Sequence, residues 1–114
     1  MALEDEDAFE AREDPARSGA YWSSWQGYLA ALSDSGVLRG AGGLQAPWVS
    51  TTVRVRDGQR LVQDGPYADT KEQLGGYFVL ELPGIDEALV WAERCPASAY
   101  GSVEVRPLLP PPSG

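Results

Sequence analysis

Trp22, Trp25, Tyr28, Leu29 and Leu32 recur at helical spacing and predict a helix over about residues 21–33 with one apolar face. Gly36, after Asp34 and Ser35, stands where a left-handed C-terminal cap is wanted. The three aromatics of the stripe read as core or subunit contacts, which their spacing already accounts for; a stacking platform is the alternative. Residues 40–50 carry Gly40, Gly42, Gly43 and Pro47 and read as an irregular connection. Residues 51–56 then alternate, with Val53 and Val55 on one face and Arg54 and Arg56 on the other, as a strand with one wet side does. Asp57-Gly58 is a hairpin-turn signal, and Leu61 and Val62 begin a return strand that ends at Asp64.

Residues 77–82 are apolar on both faces, which predicts a central strand covered twice. Pro83 and Gly84 stop it. A second helix is expected over 85–94, with Ile85, Ala88, Leu89 and Ala92 inward, acids in its first turn and Arg94 in its last, as the helix dipole favours. Residues 102–106 alternate again, Val103 and Val105 inward. Two amphipathic helices on one face of a mainly antiparallel sheet make an α+β sandwich. Tyr77 and Val79 would then face away from the helices. A second subunit's sheet laid over that face is the expected cover, so the chain is read as a homodimer.

Between the return strand and the central strand runs Asp64-Gly65-Pro66-Tyr67-Ala68-Asp69-Thr70-Lys71-Glu72-Gln73-Leu74-Gly75-Gly76, longer than a hairpin connection needs. Its charges and glycines mark it as the candidate site, with Asp64, Tyr67, Lys71 and Glu72 as ligand-binding residues and Asp64 as the candidate catalytic carboxylate. Asp64 has three readings: a cap on its own turn, a ligand contact, or a base whose pKa would need raising. Lys71 either pairs with neighbouring acids in solvent or meets an anionic ligand held by Glu72 or Asp69. Gly75-Gly76 before a buried strand points to close backbone approach or a bulge. It is no phosphate cradle, because the known glycine fingerprints lead into helices.

Composition narrows the chemistry. The 114 residues hold one domain's worth of core, with formal charge −8 from 17 acids and 9 bases. Seven of those acids lie in the first fourteen residues, so the remainder is nearly neutral and has no electrostatic reason to seek nucleic acid or anionic membrane. The acidic start is expected to contribute little to the core. With no histidine and a single cysteine, Cys95, neither an intrachain disulfide nor a histidine-cysteine metal centre is expected, nor any cofactor. Cys95 reads as an inert, half-buried residue at a helix end. The acidic N-terminus is unlike a signal peptide, and no apolar run has membrane-spanning length, so a cytoplasmic location is expected.

Asp64-Gly65-Pro66-Tyr67, followed by 68–77, by Ile85-Asp86-Glu87-Ala88 and by Gly101-Ser102-Val103-Glu104-Val105-Arg106-Pro107, resembles the YCII-related family, in the branch named for its Asp-Gly-Pro-Phe motif. Tyrosine replaces the phenylalanine here. The resemblance covers about 21–108 and implies a ferredoxin-like fold pairing as a dimeric α/β barrel with a cleft in each subunit. Most members have no established reaction; some relatives act on small ring-containing metabolites, and others are encoded near alternative sigma factors. The family's histidine and aspartate pair matches only at Asp64. Its opening apolar strand has at most a stub in Met1-Ala2-Leu3-Glu4-Asp5-Glu6, so the first strand is expected to be truncated.

The expected organisation is therefore an acidic segment 1–20, holding the strand remnant and a short helix, an α+β domain 21–108 and a proline-rich tail 109–114. The expected function is the binding of a small anionic or ring-containing metabolite. The alternatives are a cofactor-independent lyase, isomerase or dehalogenase-like enzyme, and a non-catalytic structural or regulatory partner protein.

Overall fold

A computed structural model describes residues 1–66 and 70–110. The architecture is α+β: a four-stranded antiparallel sheet in the order β2-β5-β1-β6, helices packed on one face, and a separate two-stranded hairpin. The strands of the main sheet are β1 (Ala2–Asp5), β2 (Leu38–Gly43), β5 (Glu72–Leu80) and β6 (Ser102–Val103), and β3 (Thr51–Arg56) with β4 (Gln59–Asp64) forms the hairpin. The helices are α1 (Glu6–Ala11), α2 (Ser18–Ser35), α3 (Ile85–Arg94) and a single turn, α4 (Ala97–Tyr100).

The acidic N-terminus is part of the core, against expectation. β1 lies between β5 and β6, so both its edges are hydrogen-bonded. Its side chains alternate: Ala2 and Glu4 are buried, Leu3 and Asp5 half-buried. Asp5 then caps α1, accepting the Ala8 N–H at 3.0 Å, and α1 delivers Phe9 to a site where it is 1% exposed. An N-cap aspartate of this kind contributes about 1 kcal/mol.

α2 forms as its periodicity predicts and ends at Gly36, whose φ of 78° is the left-handed cap. Its Tyr28 and Leu32 join Ala2, Cys95 and Ala97 in the buried cluster, with Trp25, Leu38, Phe78, Leu80 and Trp91 packed around it. Phe78 carries the sheet's contribution, stacked on Trp25 and edge-on to Tyr28. On α3 Ala88 and Ala92 are half-buried as expected, Trp91 turns inward edge-on to Tyr28, and Ile85 and Leu89 are exposed. Cys95 is fully buried rather than half-buried, and burial pushes its thiol pKa up, which makes it inert.

Four further differences set the site. The connection read as irregular over 40–50 contains β2, an edge strand paired with β5 through Gly40, Ala41, Gly42 and Gly43. β5 starts at Glu72, so most of the loop's second half is strand and only 65–71 connects. β5 is internal as expected, but Tyr77 is 42% exposed, and the sheet face opposite the helices stays open in the single chain. Finally, β3 and β4 pair only with each other and stand outside the main sheet.

Candidate functional site

The chain's most elaborate polar cluster lies where β1, α1, α2 and α4 meet. Glu4, at 1% exposure, is the only buried charged residue among the described ones. Strand alternation forces it inward beside Ala2, so both carboxylate oxygens need donors. They have them. Arg12 Nη2 donates to Oε1 at 2.8 Å, Tyr21 Oη lies 2.9 and 2.7 Å from the two oxygens, and Tyr100 Oη donates to Oε2 at 2.7 Å. Tyr21 Oη also accepts from Arg12 Nε at 2.9 Å, and Trp25 Nε1 donates to Tyr100 Oη at 3.0 Å.

Arg12 ties this cluster to the sheet. Its Nη2 donates to the Gly75 carbonyl at 3.1 Å and its Nη1 to the Leu44 carbonyl. The guanidinium lies over the Phe9 ring at 4.7 Å from its centroid, with Trp22 at 5.5 Å and Tyr21 at 5.6 Å. Gly75 lets this happen: a Cβ there would collide with Glu4 Oε1 and sit 3.0 Å from Arg12 Nη2. Close backbone approach, the sequence expectation for Gly75, is thus against a side chain of its own protein.

Above this floor is a cavity of about 730 Å³. Phe9, Trp22, Trp25, Leu29 and Phe78 give it apolar walls, Gly42 to Ala46 and Val49 close one side, and Glu13, Gln26 and Gln45 add polar groups. Trp22 and Leu29 are 45% and 42% exposed because they line it. A volume of this size holds a small ring-bearing molecule. A second cleft of about 610 Å³ lies between the end of β5, α3 and residues 103–108 and is apolar throughout, apart from Glu104 and Arg106.

Burial raises the Tyr21 hydroxyl from its ordinary 10.0 to about 12, assisted by its bond to Glu4, and burial likewise raises Tyr28 to about 12. Tyr100 is raised too, by burial and then by Glu4. All three therefore remain protonated donors at neutral pH. A folded-state pKa raised above the unfolded value stabilises the fold fully below pH 10, and that stabilisation is lost as pH rises through about 12. Alkaline titration should accordingly show tyrosinate absorbance appearing in a steep step coincident with loss of circular dichroism. Smooth ionisation of all five tyrosines near pH 10 with the fold intact would contradict the burial described.

The residues marked by sequence lie elsewhere. Asp64 is exposed at the end of β4, and among the described residues its carboxylate has no hydrogen-bond partner. Lys71 is exposed just before β5. Glu72 is half-buried and accepts from Ser102 Oγ at 2.7 Å, which ties β5 to β6 across β1. Tyr67 lies outside the described residues. None of Asp64, Lys71 and Glu72 lines either cleft, and the structure does not bring them together with Glu4. Sequence reasoning missed Glu4, Arg12, Tyr21 and Tyr100. The available signal was a glutamate at an inward position of a short strand, with an arginine one helix later.

An uncharacterized protein of Rhizobium meliloti (strain 1021) is 43% identical over 61 residues, which is 52% of this chain. The chain spans about half the length of that curated relative, 49% of it. No helix among the described residues is long and apolar enough to cross a membrane. The YCII-related domain matches residues 5–111, from the end of β1 into the proline-rich tail, and with nearly the whole chain so covered, the protein belongs to the YCII-related family.

Proposed function

We propose that the chain is a small-molecule-binding protein of the Asp-Gly-Pro-Phe branch, working as a homodimeric α/β barrel, with its ligand in the cavity above Glu4 and Arg12. The observation that carries this reading is the pairing of an aromatic-walled cavity with a fully hydrogen-bonded polar floor. A floor fixed by five side-chain hydrogen bonds to or within the Glu4, Arg12, Tyr21 and Tyr100 group keeps its shape without ligand, which lowers the ordering cost of binding.

The same geometry favours a ring-containing ligand over an anionic one. Arg12 directs its donors to Tyr21, Glu4 and the Leu44 and Gly75 carbonyls, and Glu13 adds negative charge to the wall. Binding is also favoured over carboxylate catalysis. A general base needs a lone pair within reach of the proton it abstracts, and the oxygens of Glu4 are buried and engaged by three partners.

Calorimetric titration with indole, phenol and benzoate tests the reading. Indole and phenol are expected to bind more tightly than benzoate. Trp22→Ala removes one stacking wall from a partly exposed position and should weaken binding about tenfold, the effect of losing about 1.4 kcal/mol. Asp64→Asn should leave binding unchanged. A loss at Asp64→Asn with Trp22→Ala silent would move the site to the loop.

A further inference from the structure

The β3–β4 hairpin presents an uncovered apolar face. Its cross-strand register places Val53 opposite Val62, and Val55 falls on the same face, at 56%, 57% and 61% exposure. β4 is exposed along its whole length. A two-stranded hairpin is at best marginal in water without something to pack on, and this one pairs with no strand of the main sheet. The chain is correspondingly extended: the radius of gyration is 16.4 Å, against about 13 Å for a compact domain of this length, and the smallest extent is 18 Å beside 51 and 47 Å.

We propose that the hairpin is a docking arm whose valine face seats on a second copy of this chain. The inference rests on the homodimer reading above and adds the element that clasps it. Two observations select a second copy over an unrelated protein. Charge is the first: residues 51–64 hold Arg54, Arg56 and Arg60 against Asp57 and Asp64, a net +1, so the rest of a chain of charge −8 carries −9. The arm is the positive part of a negative molecule, and another copy presents the complementary body. The second is that, besides the arm's valines, each chain leaves the sheet face with Leu74 and Tyr77 uncovered. A twofold axis can bring both surfaces of both copies to one interface, whereas an unrelated partner on the arm leaves the sheet face open. The arm springs from the segment containing Val49, which lines the ligand cavity, so docking also fixes one side of the cavity mouth.

The test combines light scattering with amide hydrogen exchange over 51–64, for the full chain and two variants. Val53→Glu/Val62→Lys replaces the apolar pair with an opposite-charge cross-strand pair, which keeps the hairpin paired but removes its valine face. Val79→Lys places a charge on the open sheet face. The expected result is a dimer whose arm amides are protected and lose protection on dilution. The double variant should raise the dissociation constant about a hundredfold or more with the circular dichroism of the body unchanged. Single-chain mass at all concentrations overturns the dimer reading and the arm with it. A dimer split by Val79→Lys, but with unprotected arm amides and indifferent to the double variant, overturns the arm alone. Arm protection that persists in a single chain, or appears only with another protein added, overturns it also.

Discussion

Removing residues 1–14 should abolish cooperative folding. The segment is the most acidic in the chain, and relief of charge repulsion alone would make its deletion neutral or mildly stabilising. The lost pairing and burial outweigh that relief. The deletion takes away β1, the strand between β5 and β6, and leaves their facing backbone groups unpaired. It also removes the buried Ala2, Glu4, Ala8 and Phe9, and Arg12 with them. Truncating one buried phenylalanine costs about 3–5 kcal/mol, against a total stability of about 5–15 kcal/mol for an ordinary domain. Differential scanning calorimetry checks this. No cooperative transition is expected; a melting temperature within a few degrees of the intact chain would show that β1 is dispensable.

Glu4→Ala should destabilise the fold by about 3–5 kcal/mol, because it strands the guanidinium of Arg12, whose side chain is 11% exposed, and leaves the hydroxyls of Tyr21 and Tyr100 without their acceptor. Most of that is the cost of uncompensated polar groups rather than the net worth of the ion pair. Glu4→Ala combined with Arg12→Ala should therefore cost less than the sum of the single changes, by about 0.5–3 kcal/mol. Urea unfolding of the four proteins measures both quantities. A Glu4→Ala cost below about 1 kcal/mol, or simple additivity, would mean that the network does not act as a unit.

The contrast between the two ends of the chain explains what sequence could show. α2, α3 and the β3–β4 turn were legible because each is specified locally: a 3.6-residue stripe, charges at helix ends, Asp57-Gly58 with φ of 53° and 75°. β1 was visible only as a stub implied by the family resemblance, and its place in the core was hidden because its inward position is Glu4, whose partners lie 8, 17 and 96 residues away. β2 was hidden by its glycines. A Cβ on Gly42 would lie 2.6 Å from the Tyr77 ring, and one on Gly76 would lie 3.0 Å from the Gly42 carbonyl, so the strand's composition records close packing across the ladder rather than strand propensity.

The hairpin shows the opposite limit. Its strands were predicted correctly, yet valine alternation says only that one face prefers burial and not which surface buries it. For the candidate site, the loop from Asp64 stood out through its charges and glycines, whereas the cavity floor is assembled from residues dispersed between 4 and 100. Trp22, Trp25, Leu29 and Phe78 were visible as apolar periodicity, which is the same signal whether a residue fills a core or walls a cavity.

The four tryptophans divide the molecule usefully: Trp22 and Trp25 line the aromatic cavity, Trp91 lines the second cleft, and Trp48 packs edge-on to Phe9 outside both linings. Their indole N–H resonances, followed by NMR during titration with indole and phenol, test the central claim most directly. The account predicts saturable shifts at Trp22 and Trp25, with Trp91 unmoved. Shifts confined to Trp91, or no saturable shift at any of the four, would contradict it.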